Sequence, residues 1–126
     1  MEEMIKRAFE VRKFAHVRKY KVGAVLKTKD GKLYTGCNVD NMGIQSICAE
    51  RTAFVKAISE GETEYDSILV VGGDITKDKL DNCTPCGYCR QFMRELVSDD
   101  FKVFCYDGEN MREYLMKDLL PEAFEV

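Results

Sequence analysis

Thr84-Pro85-Cys86-Gly87-Tyr88-Cys89-Arg90-Gln91 reads as a helix start that carries two metal-type ligands. Proline suits the first position of a helix, where a missing N–H costs nothing. Cys89, Phe92, Met93 and Leu96 follow at i, i+3, i+4 and i+7, the spacing of one buried helix face. Cys86 and Cys89 can therefore turn both sulfurs toward one point about 2.3 Å from each. The positive end of a helix favours thiolate over thiol. Cys48 of Cys48-Ala49-Glu50 stands at the start of a second predicted helix. Two helix starts converging in this way present three thiolates and leave a fourth position open, as catalytic zinc sites do.

Glu50, two residues beyond Cys48, is placed to move a proton between a zinc-activated water and a substrate. Arg51 or Arg90, hydrogen-bonded to the sulfurs, would offset the charge of three thiolates. Two blander readings stay open on the residues alone. Cys83 also lies three residues from Cys86, so Cys48, Cys83, Cys86 and Cys89 form a possible closed structural site. Cys48 could equally be an inert buried thiol. Against the closed site, Pro85 separates Cys83 from the helix, and Glu50 would have no task there.

The rest of the chain fits a globular frame. Its 126 residues allow one domain, residues 1–126, with a real core. The longest apolar runs fall far short of a bilayer span, and the first residues do not resemble a signal peptide, so a cytoplasmic protein is expected. Net charge is -3, and no long basic tract points to a nucleic-acid polymer. The cationic cluster Arg12, Lys13, Arg18, Lys19 and Lys21 reads as a solvated face, with steering of an anionic ligand as the alternative. Six cysteines in such a chain favour metal or catalysis over disulfides, and a single histidine leaves little scope for a histidine site.

Periodicity predicts a helix over residues 2–17, then strands over 22–28 and 32–37 joined by a type I′ turn at Asp30-Gly31. Ser46 is expected to cap a central helix over 47–60 that ends at Gly61, its face built from Ala49, Ala53 and Ala57 with Phe54 and Ile58. A strand over 67–71 closes at Gly72-Gly73, a surface loop runs over 74–84, and a strand over 101–106 closes at Asp107-Gly108. Residues 111–116 fit strand or helix, and Pro121 limits any helix from Asp118 onward to a short piece. The order predicts an α/β sandwich around one mixed sheet.

Five segments together resemble the cytidine deaminase family, in its small homotetrameric nucleoside-acting form. They are Val22-Gly23-Ala24, Gly36-Cys37-Asn38-Val39-Asp40-Asn41, Cys48-Ala49-Glu50-Arg51-Thr52-Ala53, Pro85-Cys86-Gly87-Tyr88-Cys89-Arg90-Gln91 and Leu119-Leu120-Pro121-Glu122-Ala123-Phe124. The signature of zinc deaminases at large carries His as first ligand; Cys48 matches the three-cysteine form. The resemblance implies a three-layer α/β/α fold with a five-stranded mixed sheet, residues 111–116 being the fifth strand. It implies zinc on Cys48, Cys86 and Cys89, Glu50 as proton shuttle, and Arg51, Arg90 and Gln91 around them. It implies deamination of cytidine and 2′-deoxycytidine in pyrimidine salvage, with the Ala49 N–H on the base edge. Asn38 and Asp40 would bind the ribose, Tyr20 would flank the base where Phe is usual, and Phe124 would reach an active site, often a neighbour's. Asp40 stands where the family has Glu, one methylene longer. The segment before Val22 also departs from the usual one, so blasticidin S is the alternative substrate. A non-catalytic four-cysteine zinc module is the further alternative.

Overall fold

The computed structural model describes residues 1–125. Helix α1 (Glu2–Arg12) is followed by strands β1 (Tyr20–Thr28) and β2 (Leu33–Cys37), helix α2 (Ala49–Ser59), strand β3 (Tyr65–Asp74) and helix α3 (Gly87–Arg94). Strands β4 (Lys102–Tyr106) and β5 (Met111–Leu115) and the short helix α4 (Met116–Leu119) complete the chain. The sheet runs β2-β1-β3-β4-β5, with β3–β4 parallel and the other neighbouring pairs antiparallel. Strand alternation separates two cores. Val22, Ala24 and Leu26 face α2 and α3 together with Ile68, Val70 and Val103. Val25, Leu69 and Val71 face Met4 and Ala8 of α1. The three layers and the five-stranded mixed sheet agree with the expected architecture.

Two glycines set how closely the helices approach. A Cβ on Gly23 would stand 2.2 Å from the Ala8 carbonyl oxygen of α1. A Cβ on Gly36 would stand 2.5 Å from both the Ala49 oxygen and the Ala53 nitrogen of α2. The Ala49-Ala53-Ala57 stripe is fully buried, and Phe54 beside it meets Tyr65 and Phe92 edge-on. Ile58, expected on that face, is instead 41% exposed.

Several boundaries differ from expectation for identifiable reasons. Helix α1 ends at Arg12 rather than at 17, because His16 and Val39 form a bridge that draws the chain out of the helical path. The Asp30-Gly31 turn is not type I′. Gly31 alone has positive φ there, at 90°, and Gly31 N–H donates to the Thr28 carbonyl at 3.0 Å, which makes a three-residue loop ending in a bulged glycine. Ser46 does not cap α2: Val39 and Ile47 exchange backbone bonds of 2.9 Å, which keeps the chain extended until Cys48, the actual N-cap. Its far end matches expectation. Glu62 N–H donates to Ala57 and Gly61 N–H to Ile58, each at 3.0 Å, with Gly61 at φ 91°, so the helix closes in a Schellman motif. Strand β3 runs on through Gly72-Gly73 to Asp74, and α3 begins at Gly87 with Cys86 as N-cap, so Pro85 precedes the helix rather than opening it. Arg12 is not a solvated charge, since its guanidinium donates to the carbonyls of Lys21 and Gly73 at 2.9 and 3.1 Å.

Candidate metal centre

Cys48 and Cys86 are the N-cap residues of α2 and α3, and Cys89 lies in the first turn of α3. Both caps have extended backbone, which turns their side chains across the helix mouth. The three sulfurs lie within 4.8 Å of one another, with Cys48 and Cys86 at 3.8 Å. A tetrahedron with sulfurs about 2.3 Å from its centre has edges of about 3.8 Å, so the donor set fits zinc in both chemistry and spacing. Cys83 is outside the group. Its sulfur packs against the end of β3, 2.6 Å from where a Cβ on Gly72 would stand, and burial pushes its thiol up to about 12. The geometry therefore assembles three cysteines, and the closed four-cysteine arrangement does not form.

Charge is shared unevenly in this set. Cys48 is held well below the ordinary thiol range, first by the hydrogen bond from Cys89 and then by Arg51 and Cys86, against the effect of burial. Cys89 moves up, because it donates to Cys48 and is buried. Full deprotonation of all three calls for a compensating cation. Arg51 supplies part of that charge from one side: its Nη2 donates to the Cys48 sulfur at 3.7 Å and to the Ser46 carbonyl at 3.2 Å. The guanidinium also lies 4.4 Å over the ring of Tyr88, a stacking that fixes its plane.

Glu50, on the first turn of α2, is only 4% exposed. Burial pushes its carboxyl up to about 7, the charge of Cys48 adding to the effect. A carboxyl in that range can both take and return a proton near neutral pH. Ala49 is fully buried, and its N–H belongs to the first turn of α2, where no helical carbonyl reaches it.

The other expected residues divide. Tyr20 and Asp40 line one cleft of about 980 Å³, with His16, Arg18, Lys19 and Asn41 around them. Asn38 is buried and does not line it, its Oδ1 accepting from Val22 N–H at 2.9 Å and its Nδ2 donating to the Tyr20 carbonyl at 2.8 Å. That leaves one N–H and one lone pair of its amide for anything else. Arg90 does not bond the sulfurs. One step further round α3 than Cys89, it donates to the carbonyls of Pro85 and Leu119 at 2.6 and 2.8 Å, fastening α3 to α4. Gln91 likewise turns away, donating to Glu95 and to the Phe124 carbonyl at 3.0 and 3.2 Å. The Phe124 ring is 74% exposed. Two residues went unsingled in the sequence. Tyr88, between the two ligands of α3, carries the Arg51 stacking, and its place in Cys-Gly-Tyr-Cys was a usable signal. Asp81 accepts the Tyr20 hydroxyl at 2.9 Å, and nothing in a run of charged loop residues marked it.

The sequence pattern of the cytidine and deoxycytidylate deaminase zinc-binding region matches residues 1–105. The chain is 40% identical over 125 residues to a cytidine deaminase of Halalkalibacterium halodurans, covering 96% of this chain and 91% of that one. It is 44% identical over 129 residues to a probable cytidine deaminase of Dictyostelium discoideum, covering 98% and 83%. The crystal structure of a cytidine deaminase from Burkholderia pseudomallei superposes with a TM-score of 0.87 at 37% identity, covering 98% of each chain. Those likenesses extend over the sheet, both ligand-bearing helices and the loops between them, and the chain belongs to the cytidine and deoxycytidylate deaminase family.

Proposed function

We propose that this chain hydrolyses cytidine and 2′-deoxycytidine to the corresponding uridines, with release of ammonia, as one catalytic domain over residues 1–126. The observation that carries the reading is the buried carboxyl of Glu50 beside three sulfurs at tetrahedral spacing. Cys48, Cys86 and Cys89 would hold zinc, which when bound supplies Lewis acidity that makes water a nucleophile near neutral pH. Glu50 accepts a proton from the attacking water and delivers protons to the base, so that the exocyclic amine leaves as ammonia. The first-turn N–H of Ala49 donates to the base edge, and Arg51 tempers the thiolate charge. Tyr20 walls the cleft while Asp40 and the remaining capacity of the Asn38 amide meet the sugar hydroxyls.

The relatives named as cytidine deaminases support that substrate. Pyrimidine salvage is the corresponding role, and reduced thiols at the centre suit the cytoplasm. Met42, Ile44 and Phe124 are 91%, 98% and 74% exposed, which suits assembly with further copies, a homotetramer by resemblance; sedimentation reads its mass. Ammonia release from cytidine, deoxycytidine, cytosine and blasticidin S, measured side by side, tests the substrate. Activity on the two nucleosides, abolished in Glu50→Gln, is the expected result; turnover of blasticidin S alone would overturn the nucleoside assignment.

A further inference from the structure

Tyr20 opens β1 and forms part of the wall of the cleft that holds Asp40. Its backbone pairs with Asp74 of β3, and its carbonyl accepts from Asn38 at 2.8 Å. Its hydroxyl reaches across to Asp81 Oδ2 at 2.9 Å. Asp81 is itself fixed, since its N–H donates to the Gly72 carbonyl at 2.9 Å. Two glycines make that approach possible. A Cβ on Gly72 would stand 2.6 Å from the Cys83 sulfur, and one on Gly73 would stand 3.2 Å from the Leu80 Cα. Residues 80–83 are therefore laid directly on the end of β3. Five residues beyond Asp81, the same segment delivers Cys86 to the metal centre. The Asp81 carboxylate thus joins a wall of the cleft to the segment that leads into α3 and its two cysteines.

We infer that Asp81 is a positioning residue: through Tyr20 it sets the cleft wall relative to the cysteine centre and so the affinity for the nucleoside, without touching it. The inference rests on the deaminase reading above. A tyrosine ring turns about two torsions, and a hydroxyl anchored at its far end removes that freedom before substrate arrives. Ordering one such side chain in advance is worth roughly two- to tenfold in affinity. The bond is exposed, which places the effect within that range rather than above it.

The test compares Asp81→Ala, Asp81→Asn, Tyr20→Phe and the double variant Asp81→Ala/Tyr20→Phe. KM and kcat are read on cytidine, and the Kd of cytidine is read by calorimetry in a Glu50→Gln background. Asp81→Ala and Tyr20→Phe should each raise KM and Kd about fivefold, with kcat moving less. Asp81→Asn, whose amide oxygen still accepts from the hydroxyl, should stay within about twofold of wild type. The double variant should be no worse than either single one. Unchanged KM and Kd in Tyr20→Phe, which deletes the hydroxyl's bond to Asp81 together with its contact to the Cys83 thiol, would overturn the inference, as would additive effects in the double variant. A wild type that neither binds nor deaminates cytidine would overturn the deaminase reading and this inference with it.

Discussion

The three sulfurs and Glu50 sit on the opening turns of two packed helices, whereas Tyr20, Asn38 and Asp40 sit where strands pass into loops. At the metal end, α2 is pressed on β2 so closely that Gly36 leaves no room for a methyl group. At the cleft end the frame is held by hydrogen bonds rather than close packing: Asp40 N–H to His16 at 2.7 Å, His16 N–H to Asn38 at 3.0 Å, and the two bonds of the Asn38 amide. Arg18 and Met42 around it are exposed. The groups proposed to react, Glu50 and Cys89 above all, are thus fixed by the core, whereas of those proposed for recognition Asp40 lies on the segment freest to change.

The largest expected effect lies at the fixed end. Glu50→Gln should lower kcat by about 10²–10⁴-fold while zinc content stays at the wild-type level, read by steady-state kinetics with metal analysis. Cys48→Ala should weaken zinc binding by more than about 100-fold, beyond what loss of an outer hydrogen-bond partner costs, whereas Cys83→Ser should leave it unchanged. Equal zinc loss in both would mean that the cleanly three-cysteine centre is misassigned. Gly36→Ala should destabilise the protein by about 1–3 kcal/mol through overpacking, seen as a lower Tm. The same change at Gly87, where a Cβ meets nothing within 4 Å, should be neutral or stabilising. The smallest effect belongs to the cleft: Asp40→Glu should change KM by no more than about tenfold, the scale of one hydrogen bond to a sugar hydroxyl. A larger loss would show that the cleft is as rigid as the centre.

That contrast also explains what could be read without coordinates. Local chemistry announced the centre: Cys86 and Cys89 share a helix start, and Glu50 follows Cys48 on another. Gly61 announced the end of α2, because a positive φ at that position favours glycine. Long-range contacts did not announce themselves. Ala15 and Val17 continue the apolar rhythm of α1, yet the bridge from His16 to Val39, remote in sequence, ends the helix first. Gly72 and Gly73 read as the end of a strand, but they are there because Leu80 and Cys83 lie against them. Adjacency in sequence puts Arg90, and the resemblance Gln91 as well, near the sulfurs. The turn of α3 instead aims them at α4 and the tail.

The β3–β4 pair, the parallel one among the described strands, has a bearing on how the protein assembles in time. The β1–β2 and β4–β5 pairs are hairpins that close short loops, and such local pairings form early. The parallel pair must instead close a crossover that contains α3, and with it Cys86 and Cys89. Cys48 lies 38 residues before Cys86, so bringing their sulfurs together closes a second long loop, from α2 to α3. Interactions made after the folding barrier slow unfolding without speeding folding. Metal that joins these sulfurs after both loops have closed would act as a latch, lengthening the lifetime of the finished fold rather than hastening its formation.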